Sequence, residues 1–334
     1  MPPFALIFLV AVTTGVFQRF WFWTFLYARE YAKEQSASQA WQDLQDSGGR
    51  ILHFGSGIWT LAAIGLWLTW TSQSRRSSAI FLNLLAVASL LAVSAGLHFR
   101  EHYFIVVLPA AAVFMGAAIQ ILSDDLAAKR ASLFRLAIPT IVAAMAMALT
   151  IYHHRTLFFK RTPDEVARAV YGVNPFPESP VIARYIREHS GADSRIAVIG
   201  SEPQIYFYSR RHSATGYIYT YALTEPQKYA SAMEEEMIHE IETAVPEFVV
   251  LVHIRNSWFD LSVPEERIFD WAKRYTREMA MVGLVQIDPS RGTTWDWNEH
   301  GISTEPVSEN FLSVYQRTQA SPRAALDSPL HSTK

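Results

Sequence analysis

Apolar residues fill the first half of this chain in runs too long for either an amphipathic helix or a half-buried strand. Between Arg50 and Arg75, Arg76 and Arg100, Glu101 and Asp124, and Arg135 and Arg155 there is no Asp, Glu, Lys or Arg. A bilayer core of about 30 Å takes roughly 20 apolar residues as a helix, whereas a run of about 10 to 14 suits a helix buried in a soluble core. Each of the four runs is therefore expected to cross a membrane. Phe4 to Phe17 is a shorter fifth run, with no basic residue ahead of it and no small-residue cleavage site, so it reads as a retained membrane segment rather than a signal peptide. The Arg19, Phe20, Trp21, Phe22 and Trp23 that follow read as an interfacial belt.

Past residue 155 the pattern changes. Pro163, Pro175, Pro177 and Pro180 predict a linker over 156–180, because proline interrupts helix and favours extended chain before it. Then Val181 to Glu188, Glu225 to Ala244 and Glu265 to Arg277 read as helices. Arg195 to Ile199, Phe248 to Val252 and Met281 to Ile287 read as strands. That alternation predicts an α/β domain over 181–317, and the polar stretch 318–334 reads as a disordered tail. The expected fold class is a polytopic α-helical membrane domain over 1–155, with about five transmembrane helices, followed by a small soluble α/β domain.

Charge sharpens the division. Residues 1–161 hold 13 Lys/Arg against 7 Asp/Glu, and residues 162–334 hold 16 against 24. The acidic half makes nucleic acid an unsuitable partner. With no cysteine, neither a disulfide framework nor a thiolate metal site is available. Arg75, Arg76, Lys129 and Arg130 lie in two short loops on one side of the membrane, which places those loops in the cytoplasm and the acidic domain outside. Arg155, Lys160 and Arg161, on the opposite side, argue the other way.

Several motifs carry little chemistry. Gly200 follows a strand, but the next glycine is Gly216, so no dinucleotide fingerprint exists. His239-Glu240 has Thr243 where a zinc protease needs a second histidine, and no metal or cofactor is expected. His153 and His154 read as interfacial, and Asp124-Asp125 as caps of the following helix. Tyr217, Tyr219 and Tyr221 alternate, so on a strand they share one face, which could stack on a sugar or pack in a core. More informative are His98, Arg100, His102 and Tyr103, a cluster of cations and a phenol in the turn between two expected spans. Such donors suit a lipid phosphate, and they equally suit plain interfacial anchoring.

The aromatic run from Phe20 to Glu30, Phe99-Arg100-Glu101-His102-Tyr103-Phe104, Leu108-Pro109-Ala110, the stretch Ile199 to Tyr208 that contains Gly200-Ser201-Glu202-Pro203, and Ala214-Thr215-Gly216-Tyr217-Ile218-Tyr219 together resemble the C-terminal part of bacterial polytopic glycosyltransferases of family 39. These are GT-C enzymes, kin to protein mannosyltransferases and aminoarabinose transferases. The resemblance implies transfer of a sugar from a polyprenyl-phosphate donor at the outer face of the bacterial inner membrane. It carries the lipid-phosphate role to Arg100 and Tyr103, with His102 beside them; Glu202, Tyr217 and Tyr219 are the candidate sugar contacts. The family's catalytic carboxylate lies in an acidic first outer loop that this chain does not match. Its own expected outer loop, Ala28 to Arg50, offers Glu30, Glu34, Asp43 and Asp46, none in that motif. The expectation is a portion of a transferase that needs a separate N-terminal half, or else a non-enzymatic membrane protein whose outer domain binds a ligand or partner.

Overall fold

The computed structural model describes residues 2–31, 33, 35–71, 76–129, 134–258, 265–302 and 304–317. The tail 318–334, Glu34, Arg75 and Arg130 lie outside the described residues. The chain divides into two compact units, Met1–Arg161 and Thr162–Lys334.

The first unit is helical. Helix α1 (Pro2–Thr13) is followed by α2 (Phe17–Trp21), which runs through a π-helical segment, Phe22–Tyr27, into α3 (Ala28–Tyr31). Then come α4 (Ala37–Phe54), α5 (Ser56–Thr69) and α6 (Arg76–Val93). A 3-10 segment, Glu101–Val107, leads into α7 (Leu108–Lys129), and α8 (Phe134–His153) and α9 (Arg155–Phe159) complete the unit. Among the described residues two helices are long and apolar enough to cross a membrane, Arg76–Val93 and Glu101–Asp125. A third would need α4 and α5 to count as one span, although they meet at 98°.

The stretch expected as an outer loop is largely helix α4. Ser36 opens it with a capping box, its hydroxyl accepting from the Gln39 backbone while the Gln39 side chain returns to the Ser36 amide. The charge-free run from Arg50 to Arg75 does not form a single straight helix. It begins in the last turn of α4, breaks at Gly55 and leaves 14 residues for α5. Asp124 and Asp125 do not precede a helix: both lie inside α7, where Gln120 donates to Asp124 at 3.0 Å. Helix α5 packs on α7 backbone to backbone. A Cβ added at Gly65 would lie 1.8 Å from the Phe114 carbonyl oxygen. Small residues permit such approach between apolar helices, where side-chain interlocking and close backbone contact replace the hydrophobic effect.

The second unit opens with helices where a linker is expected. Thr162 and Glu165 form a capping box for α10 (Pro163–Tyr171), and α11 spans Ser179–Glu188. Pro163 and Pro180 start these helices instead of breaking them, because the first turn needs no amide donor from the proline nitrogen. Next come β1 (Arg195–Ile199), α12 (Pro203–Ser209), β2 (His212–Ser213), α13 (Tyr221–Thr224), α14 (Ala230–Ala244) and β3 (Phe248–His253). The rest is α15 (Glu265–Tyr275), β4 (Met279–Asp288), β5 (Gly292–Trp297) and β6 (Phe311–Arg317).

The six strands form one mixed sheet in the order β2-β1-β3-β6-β4-β5. Strands β2, β1 and β3 are parallel, while β6 runs antiparallel to both β3 and β4, and β5 antiparallel to β4. The apolar runs of β1 and β3 are buried nearly throughout, as central parallel strands require. Ile182 and Ile186 of α11 pack there with Val198, Phe248, Val250 and Val314.

Candidate functional site

From β1 the chain passes through α12 to β2 on one side of it, then through α13 and α14 to β3 on the other. The carboxyl ends of β1 and β3 therefore flank a topological switch point, where open α/β sheets leave a crevice for ligands. Gly200 ends β1 at φ +153°, and a Cβ there would lie 2.6 Å from the Val252 side chain and 2.9 Å from Ser257 Oγ. Only glycine lets the two strand ends close together. Across the gap the Ser201 amide donates to Ser257 Oγ at 2.8 Å, and the Ser257 hydroxyl donates to Glu202 Oε1 at 3.0 Å. Ser201 Oγ also lies 3.1 Å from Thr220 Oγ1.

Glu202 is 3% exposed. Burial pushes its carboxyl up to about 7, hydrogen bonds from Gln204 and Ser257 oppose that rise, and Glu178 adds to it by repulsion. Glu178, itself buried, accepts from Arg168 and from Thr293 Oγ1, while its Oε2 has no partner among the described residues. Gln204 ties the cluster together by donating to both Glu202 and Ser179 Oγ. A carboxyl held near neutrality can give or take a proton at ordinary pH, which is the property a general acid or base needs.

The tyrosines do not form a strand face. Residues 214–220 are loop, and Tyr221 begins α13. Tyr217 is buried, its hydroxyl donating to Glu236 at 2.6 Å, while Tyr219 is exposed with its ring 4.6 Å from that of Tyr221. The loop takes this course because Glu240 accepts from Thr215 Oγ1 and from the Gly216 amide. Tyr217 thus serves the core, and Tyr219 lies at the surface.

In the helical unit, the turn after α6 brings the four residues singled out from sequence into one region. Gly96, Leu97 and Phe99 all have left-handed backbone, with φ of +77°, +59° and +41°. For bulky residues this is strain of about 1–3 kcal/mol each, a feature that clusters at functional sites. Two contacts hold the turn. His98 is buried with its ring 4.4 Å from that of Tyr31, its Nε2 without a hydrogen-bond partner among the described residues, and Phe99 packs with Ala40 and Val93. The outcome is that Arg100 and His102 project outward, exposed. Among the described residues the Arg100 guanidinium has no hydrogen-bond or ion-pair partner, whereas its neighbour Glu101 is paired with Arg50. Tyr103 is half-buried, its ring against the Ala40 and Phe99 cluster. His154 belongs elsewhere, stacked on Phe54 with Nε2 3.1 Å from the Phe54 carbonyl oxygen.

No protein-family model, curated protein or solved structure matches this chain. Sequence reasoning found the Gly200-Ser201-Glu202 turn but missed Ser257, Thr220 and Glu178. No local pattern marks them, because they meet Glu202 only through the order of strands in the sheet.

Proposed function

We propose that this chain is a polytopic membrane protein of the bacterial inner membrane and the C-terminal portion of a glycosyltransferase that uses a polyprenyl-phosphate-linked sugar. Its share of the work is to hold the carrier phosphate, and a separate N-terminal half supplies the catalytic carboxylate. The observation that carries this reading is the unpaired Arg100 guanidinium, held outward by a strained turn between two helices of spanning length. A guanidinium at headgroup level offers a fork of donors to phosphate oxygens. His102 stands beside it, and the 98° bend between α4 and α5 suits an α4 lying along the membrane surface next to that turn. Two carboxylates of the Ala28 to Arg50 stretch are already engaged, Glu30 with Lys33 and Asp43 with Gln35, which suits structural roles better than that of a free base.

Arg100→Ala is expected to weaken polyprenyl-phosphate binding in nanodiscs about tenfold to a hundredfold, the worth of one charge-assisted hydrogen bond at about 1.5–3 kcal/mol. Tyr103→Phe should weaken it less, since a phenol bond is neutral. If these residues only anchor the helix, both variants lose stability while the folded fraction binds the lipid as wild type does, and the reading fails. Orientation is tested separately: a reporter active only outside the cytoplasm should work when fused after Gln319 and stay silent at Ser74. The reverse pattern would remove the transferase reading of the second unit.

A further inference from the structure

A cavity of ≈ 310 Å³ opens at the carboxyl end of β3, beside the start of β6. Its size falls at the lower end of the roughly 300–1,000 Å³ usual for small-ligand pockets. His253, Arg255, Trp258, Glu309, Asn310 and Phe311 line it. Among the described residues the side chains of His253, Arg255, Glu309 and Asn310 have no hydrogen-bond or ion-pair partner.

The histidine is fixed in place. Phe269 and Phe311 stack on it at 4.9 and 4.2 Å, so its faces are taken and its nitrogens are left at the ring edge. Burial, helped by Lys273, lowers its pKa to about 4, which keeps the ring neutral with one donor and one acceptor nitrogen. Asn310 likewise both donates and accepts, and Glu309 accepts. Paired donors and acceptors of this kind suit hydroxyl groups, each of which also does both. Arg255 is the cation among the lining residues, so it is the group that can pair with an anionic group on a ligand.

We propose that this cavity binds a small polyhydroxylated anion the size of an acidic pyranose, with its anionic group on Arg255 and its hydroxyls on His253, Asn310 and Glu309. This site is separate from the Arg100 turn, and the inference stands or falls without the transferase reading.

The test is calorimetric titration of the full-length chain in nanodiscs with glucuronate, glucose, inorganic phosphate and glycine. Glucuronate is expected to bind at least about tenfold more tightly than glucose or phosphate, the smaller limit for one charge-assisted hydrogen bond. Arg255→Gln should erase that advantage while leaving glucose unchanged, and the exposed position of Arg255 means the substitution removes no core contact. His253→Phe keeps the ring stack and should weaken both sugars. Absence of saturable glucuronate binding, equal affinity in Arg255→Gln, or tighter binding of the glycine zwitterion would each overturn the proposal.

Discussion

Glu202→Gln is expected to remove a loss of stability that the wild-type second unit suffers as pH rises. Below pH 4.5 the carboxyl is protonated whether the chain is folded or not. Between 4.5 and about 7 the folded protein keeps a proton that the unfolded chain has released, so stability falls with pH. The full drop, reached above pH 7, is about 3 kcal/mol, from roughly 1.4 kcal/mol for each pH unit of displacement. His253 acts in the opposite sense. Between about 4 and 6.5 the unfolded chain holds a proton that the folded imidazole lacks, so stability rises with pH.

The two slopes oppose each other where their windows overlap. Relative to wild type, Glu202→Gln should therefore lose the fall between 4.5 and about 7, and His253→Phe the rise between about 4 and 6.5. Urea unfolding of the full-length chain, read by hydrogen exchange at Val198 and Val250 and corrected for intrinsic rates, measures both. The advantage of Glu202→Gln over wild type should be small near pH 4 and approach 3 kcal/mol at about pH 8. A constant difference across that range would mean that Glu202 does not titrate there.

The second large effect belongs to the helical unit. Gly65→Ala places a methyl 1.8 Å from Phe114 O, 2.6 Å from its carbonyl carbon and 3.2 Å from the Ala118 nitrogen. Every one of these is a backbone atom, so no side chain can swing aside and α5 must move off α7. Overpacking of this kind typically costs about 1–3 kcal/mol, and a backbone clash belongs at or beyond the upper end. Gly116→Ala is the control, because a Cβ there meets nothing within 4 Å. Unfolding in mixed micelles should separate the two variants by about 3 kcal/mol, and equal stabilities would mean that α5 and α7 do not meet at Gly65.

The apolar helices and the alternating strands and helices were legible because burial leaves a local record. The strand runs of β1 and β3 are apolar at nearly every position, since both faces of a central parallel strand are covered. Strand β5 leaves no such record: it lies at the sheet edge with most of its residues exposed, and its pairing with β4 holds it in place. The absence of charge between Arg50 and Arg75 promised one long helix, but the break at Gly55 and the 98° bend were not readable from composition.

Sequence by itself determined the acidic and basic halves, the apolar helices, the turn that carries Arg100 and the strand that ends at Gly200. Only the tertiary structure decided that Tyr217 faces the core, that Ser257 meets Glu202 from 55 residues away, and that His253 lies against Phe311. Periodicity reports how one segment meets its surroundings. Which segments become those surroundings depends on strand order and register, and those follow from the packing of the whole sheet rather than from any single stretch of chain.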